Sequence, residues 1–208
     1  LSTVGGGEAL AELREIYAHP NCPTSGKGSI QAALTTTQAE IDEETKLFLA
    51  DAMMHEKNRA LAEGASFALG SSLQNATNSA ASRLALDQIR SAWLASANDN
   101  PARLALLDVM GNSARPEFLP LIQEAMDSRN DITLQAKAIF SLRLFPQSEA
   151  NALLGPQISN QNAILREAAI EALRSGLWRE ELRSSIENCA NSDPIEKLRN
   201  ACQITLTP

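Results

Sequence analysis

The chain has 208 residues, with 18 basic against 25 acidic, a formal net charge of −7 and a pI near 4.9. That length is one domain or two small ones, and the charge argues against duplex nucleic acid or an anionic lipid surface as the main partner. Apolar residues are 44% and aromatic ones 4%, and 33 positions are alanine, a composition for closely packed helices rather than a β-sandwich.

No stretch approaches the roughly 20 continuous apolar residues of a membrane span. The start, Leu1-Ser2-Thr3-Val4-Gly5-Gly6-Gly7, carries neither the basic nor the apolar region of a signal peptide. The first residue is not Met, so export and compartment stay open.

Residues 8–18 predict a first helix, with Leu10, Leu13, Ile16 and Tyr17 on one stripe. It stops at His19-Pro20, because the residue before proline leaves helical geometry. Residues 20–28 read as a loop and 29–37 as a polar helical segment. Residues 41–55 form the next helix, burying Ile41, Thr45, Phe48, Leu49, Ala52 and Met53. Glu40, Asp42, Glu43 and Glu44 suit its N-terminal dipole. Two further helices cover 58–73 and 79–97, joined by a turn at 75–78. The second carries Leu86, Ile89 and Trp93 on one stripe, with Trp93 as a packing residue.

From residue 100 the punctuation becomes regular. Asn100-Pro101 reads as cap and first residue of a helix to 111. Pro116 opens a helix to 127. Asp131 caps 132–144, and Ser148 caps a helix to 158 that Pro156 kinks or shortens. Residues 162–175 end at Gly176, residues 179–190 follow, and Asp193-Pro194 opens a last helix to 206.

These helices repeat. Leu106–Met110, Ala138–Leu142, Ala169–Leu173 and Cys202–Leu206 align, and their anchors Met110, Leu142, Leu173 and Leu206 are 32, 31 and 33 residues apart. Shorter helices follow with Leu119/Ile122/Met126, Leu153/Leu154/Ile158 and Leu182/Ile186/Cys189 as apolar stripes. A period of about 30–45 residues built of two helices marks an α-solenoid, since one pair cannot bury its apolar faces alone. The expected fold is all-α, a superhelix of antiparallel helix pairs. Residues 1–40 are its irregular start and 41–208 the helical-repeat domain, with pairs 101–127, 131–158 and 162–190 and a last half-repeat 194–206.

Two segments carry a family resemblance: Arg103 to Ile122, reading RLALLDVMGNSARPEFLPLI, and Leu165 to Arg174, reading LREAAIEALR. They resemble HEAT/armadillo-like helical repeats, in which a first helix ends in a small residue and the second begins near a proline. The first segment also resembles the helical domain of vitellogenin-type lipid-carrier proteins. The likeness covers 101–208 and, more loosely, 41–97. It implies a non-enzymatic protein-interaction scaffold. The alternative it implies is the helical module of a larger, exported carrier protein. No strand-rich segment stands here for the lipid-holding sheets of that group.

Chemistry-bearing motifs are incomplete. His19-Pro-Asn-Cys22 has a two-ligand spacing where zinc needs about four ligands. Ser25-Gly26-Lys27-Gly28-Ser29 resembles a phosphate loop but lacks its first glycine and its Lys-Ser/Thr pair. His55-Glu56 lacks a second histidine, and the acidic run at 40–44 lacks calcium-loop spacing. No nucleophile–base pattern stands out, so no catalytic residue, metal or cofactor is expected. Counting residues from a turn at Ser192 puts Cys189 and Cys202 about 10 Å apart along the axis, too far for a disulfide, so both read as buried thiols.

The expected partner surface is the outer side of the second helices. It carries Glu117, Glu124, Asp127, Glu149, Glu180, Glu181 and Glu187 against Arg183, and Trp178, at the turn before the last of them, reads as a partly exposed packing residue with a binding anchor as the alternative. Such a face suits a basic protein or peptide and repels nucleic acid. The last helix stripe of Ile195, Leu198, Cys202 and Leu206 lacks a following partner. Self-association or a longer chain is therefore expected at that end, and otherwise Lys197, Asn200 and Gln203 serve as its polar cap.

Overall fold

The computed structural model describes residues 6–36, 41–74, 79–128, 130–177 and 180–207. Among them the chain forms twelve α-helices and no strand. They divide between two compact units, Leu1–Ser113 and Ala114–Pro208.

The first unit holds α1 (Gly7–Ala18), α2 (Thr24–Thr36), α3 (Glu43–His55), α4 (Arg59–Gln74), α5 (Ala80–Ala95) and α6 (Asn100–Ser113). Helix α4 is its centre and packs on α2, α3 and α6. Ala65, Ala68 and Leu69 of α4 are fully buried, as are Leu49 of α3 and Leu107 and Met110 of α6. Each such Leu or Met contributes about 1.5–3 kcal/mol by leaving water. Alanine lets the backbones approach, and Gly70 carries this furthest. A Cβ there would lie 2.7 Å from the Asn112 Cβ and 2.9 Å from the Val109 carbonyl oxygen. Trp93 is fully buried, with the Arg103 guanidinium 4.2 Å from its ring centre. Phe48 is half-buried and meets Tyr17 edge-on, while Ile16 is exposed.

Two sequence expectations change here. Residues 24–28 are helical rather than loop, so the Ser25–Ser29 motif lies in the first turns of α2. Gly26 and Gly28 each weaken a helix by about 1 kcal/mol, but Ile30, Gln31 and Leu34 are buried where α2 packs on α4. The cap of α6 is Asp99, whose Oδ1 accepts the Ala102 N–H at 3.1 Å; Asn100 is already helical.

The second unit holds α7 (Leu119–Met126), α8 (Ile132–Ser141), α9 (Gln147–Ile158), α10 (Ala163–Ser175), α11 (Arg183–Ser192) and α12 (Glu196–Leu206). Single 3-10 turns at Pro116–Phe118 and Glu180–Leu182 lead into α7 and α11. Helix α8 packs on α7 and α10, α10 on α12, and α11 on α9 and α12. Of consecutive helices, α7 packs closely on α8 and α11 on α12. Asp131 and Asn162 cap α8 and α10. Gly176 ends α10 because the chain runs against the turn after α8: a Cβ there would lie 2.2 Å from the Arg143 carbonyl oxygen.

Three further expectations change. Ser148 is not a cap; Pro146 precedes α9 and Ser148 lies in its first turn. Asp193 does not open α12, which begins at Glu196; it is buried and pairs with Arg166. Cys189 and Cys202 are not free thiols. They form a disulfide with Cα atoms 6.0 Å apart. The turn is not a point at Ser192, because Asp193, Pro194 and Ile195 all lie between the helices. The axial offset shrinks to about three residues, or about 4.5 Å.

Polar ties inside each unit join residues 27–30 positions apart. Gln31 donates to the Leu61 carbonyl at 2.7 Å, 30 residues on, and Arg14 pairs with Asp42, 28 residues on. Asn151 donates to Glu181 and Lys197 pairs with Glu167, each 30 apart, and Arg166 pairs with Asp193, 27 apart.

Candidate interaction surface

The carboxylate surface follows from how the odd helices of the second unit bury their stripes. Ile122 and Ala125 of α7, Ala150, Leu154 and Ile158 of α9, and Leu182, Ile186 and Cys189 before and within α11 face inward. Glu117, Glu124, Asp127, Glu149, Glu180, Glu181, Arg183 and Glu187 are all exposed.

Their geometry is less uniform than a row of free charges. Arg183 sits between two carboxylates, with Nε 2.6 Å from Glu180 and Nη1 4.0 Å from Glu187. The hydrogen bonds and charge of Glu180 raise the Arg183 pKa above its ordinary value, so it is a fixed cation. Glu181 accepts from Asn151 at 3.1 Å, which ties the start of α9 to the turn before α11. Glu117 pairs with Arg115 at 3.0 Å. Arg183 thus joins Glu180 and Glu187, and Glu181 reaches α9 through Asn151, while Glu149 is exposed in the first turn of α9. Glu117, Glu124 and Asp127 belong to α7 and its ends, and α7 packs on α8. Trp178 lies outside the described residues.

A second concavity escapes sequence reasoning. Helices α10 and α12 leave a groove of about 360 Å³ between them, with Ile170, Leu198, Ala201 and Ile204 among its lining. Glu167 and Lys197 pair across it. Its one legible signal is Ile204, an apolar residue off the stripe, which is 62% exposed. Lys197, Asn200 and Gln203 are also exposed on α12.

The motifs with chemical overtones resolve into structure. His55 closes on Asp51 at 2.9 Å in the last turn of α3. Asp42 caps α3 by accepting the Thr45 N–H at 2.7 Å and pairs with Arg14 at 2.9 Å. Burial pushes its carboxyl pKa up, but the Thr45 and Arg14 hydrogen bonds outweigh this and leave it below the usual range. Glu40 lies outside the described residues. His19 accepts the Asn21 N–H within its own turn, and Cys22 is a half-buried free thiol. Among the described residues no three His, Cys, Asp or Glu side chains gather as metal ligands. No described helix is long and apolar enough to cross a membrane.

Tyr17 sits in a small polar cluster of the first unit. It accepts from Gln31 at 3.0 Å, donates to Glu56 at 3.4 Å and lies under the Lys27 ammonium. Burial and then the Glu56 charge push its phenol pKa up to about 12.

No protein-family model, curated protein or solved structure matches the chain.

Proposed function

We propose that the chain is a non-enzymatic interaction scaffold of HEAT/armadillo-like repeats, an α-solenoid that holds a basic protein or peptide segment against the carboxylates of α9 and α11. The observation that supports it is the recurrence of ties about one repeat apart, Gln31 to Leu61 in the first unit and Asn151 to Glu181 in the second. Stacked copies of one supersecondary unit put such positions side by side. A stack of this kind presents equivalent helix faces in a row, already ordered before a partner arrives.

Binding on that face is electrostatic in its first step. Glu149, Glu180, Glu181 and Glu187 attract lysine and arginine side chains and speed encounter. Arg183, held by Glu180 and Glu187, divides the patch. A polyphosphate backbone is repelled, and no catalytic group, metal or cofactor is assigned. The test is a pair of titrations on the full chain with labelled probes, one a lysine- and arginine-rich peptide, the other a DNA oligonucleotide. Saturable binding of the peptide alone fits; binding of neither, or of the DNA alone, contradicts the reading.

The Cys189–Cys202 disulfide favours a second reading, the helical module of a larger, exported vitellogenin-like carrier, because such bonds persist in oxidising compartments. Immunoblotting of the secreted fraction tests it. A band well above 22.4 kDa supports the carrier, and a purely cell-retained band refutes it.

A further inference from the structure

We propose that the Cys189–Cys202 disulfide is a redox latch on the last helix. It holds the C-terminal turns of α12 against α10 and α11, and a thiol reductant opens it from the Cys189 side.

Helix α12 buries few of its own side chains. Of its eleven residues only Leu198, Cys202 and Thr205 are buried, whereas α10 buries Leu165, Arg166, Ala169, Ile170, Ala172 and Leu173. One of the three is itself half of the disulfide. Hydrophobic attachment scales with the apolar area covered, so α12 is the weaker-held helix. Its pair with α10, Lys197 to Glu167, is at the surface and worth little. Arg199 donates to the Asp193 carbonyl and so acts within its own turn.

The turn before α12 is anchored separately. Arg166 holds Asp193 through two hydrogen bonds, Nε to Oδ2 at 2.7 Å and Nη2 to Oδ1 at 3.2 Å, and both side chains are almost fully buried. Anchor and latch are thus at different places. With the disulfide open, Asp193 stays pinned and the helix beyond Leu198 is the part released. Its release uncovers Ile170 and Leu173 of α10, which line grooves beside α12 and are buried in the closed form.

The two cysteines differ in surroundings, Cys189 being 5% exposed. Cys202 is fully covered, while Cys189 lines a cavity of about 270 Å³ together with Ser185, Asn188 and Ser192. The reductant class is a dithiol, either a small molecule or a Cys-x-x-Cys oxidoreductase. Its thiolate attacks the Cys189 sulfur, the disulfide bond breaks, and Cys202 leaves as a thiolate that takes up a proton. The second thiol of the reductant then displaces Cys189 from the mixed disulfide. The chain gains two electrons and two protons, and the dithiol becomes a disulfide.

Amide hydrogen exchange on the full chain, in a Cys22→Ser background, tests the latch. After dithiothreitol, with two thiols confirmed by alkylation under denaturant, the amides of 201–206 should exchange at least about tenfold faster while α4 is unchanged. A Cys189→Ala/Cys202→Ala variant of unchanged helix content should show the fast exchange without reductant. Protection of 201–206 that stays within about twofold after full reduction, or two free thiols in the chain before any reductant, overturns the proposal.

Discussion

Arg166 and Asp193 meet as a bidentate buried pair, the guanidinium 9% and the carboxylate 3% exposed. The same Arg166 also donates to the Asn160 carbonyl at 2.8 Å, so one side chain joins the turn before α10 to the turn before α12. Burial of this kind costs desolvation that only complete pairing offsets. Arg166→Met leaves the carboxylate buried without its main partner and should destabilise the second unit by about 3–5 kcal/mol in urea denaturation. A loss under about 1 kcal/mol contradicts the pairing.

The same pair sets an acid dependence. Burial raises the Asp193 pKa, and the Arg166 and Ile195 hydrogen bonds outweigh this and leave it below the ordinary carboxylate value. A depressed folded pKa gives stability that is present above the unfolded pKa, about 3.9, and is lost as pH falls through the folded one. Wild type should therefore lose stability below about pH 4 more steeply than Asp193→Asn. Parallel curves for the two proteins contradict this.

Glycine substitutions separate a required glycine from a tolerated one. Gly70→Ala drives a Cβ into the Val109 carbonyl and should cost about 1–3 kcal/mol as α4 and α6 part. At Gly28 the nearest atom is 4.0 Å away, so Gly28→Ala should stabilise α2 by about 0.5–1 kcal/mol. Equal effects at the two sites in thermal melts contradict the α4–α6 packing.

Tyr17 is the one tyrosine of the chain, so its ultraviolet titration is unobscured. The phenol should ionise near pH 12. A raised folded pKa gives stability that is intact below the unfolded value, about 10, and lost as pH climbs through the folded one. Glu56→Gln should bring the midpoint down, and a wild-type midpoint at 10 refutes the burial and the Glu56 contact.

The helices were largely legible because their termini carry local chemistry. Asp131 caps as read, and Leu182, Ile186 and Cys189 are buried as one stripe. What failed was set by distant contacts. Glycines at 26 and 28 hid the start of α2, whose apolar side is fixed by α4. Ser148 has the right type for a cap, but Pro146 already fixes the entry to α9. The Cys189–Cys202 bond depends on a three-residue turn that residue counting collapses to a point. For the surface, exposure of the carboxylates was legible from the stripes they avoid. The pairing of Arg183 with Glu180 and Glu187 was open to the three- and four-residue rule. The Asn151–Glu181 tie was not, since it joins residues 30 apart in sequence.

Charge reversal on the acidic face is the most direct measurement of whether that face holds a basic segment. A labelled lysine- and arginine-rich peptide is titrated into wild type and into Glu149→Lys/Glu180→Lys/Glu187→Lys, with circular dichroism checking that helix content is kept. Wild-type affinity should fall steeply between about 50 and 300 mM salt, and the variant should bind at least about tenfold more weakly at low salt. Affinity that ignores both salt and the three reversals contradicts an acidic binding face on α9 and α11.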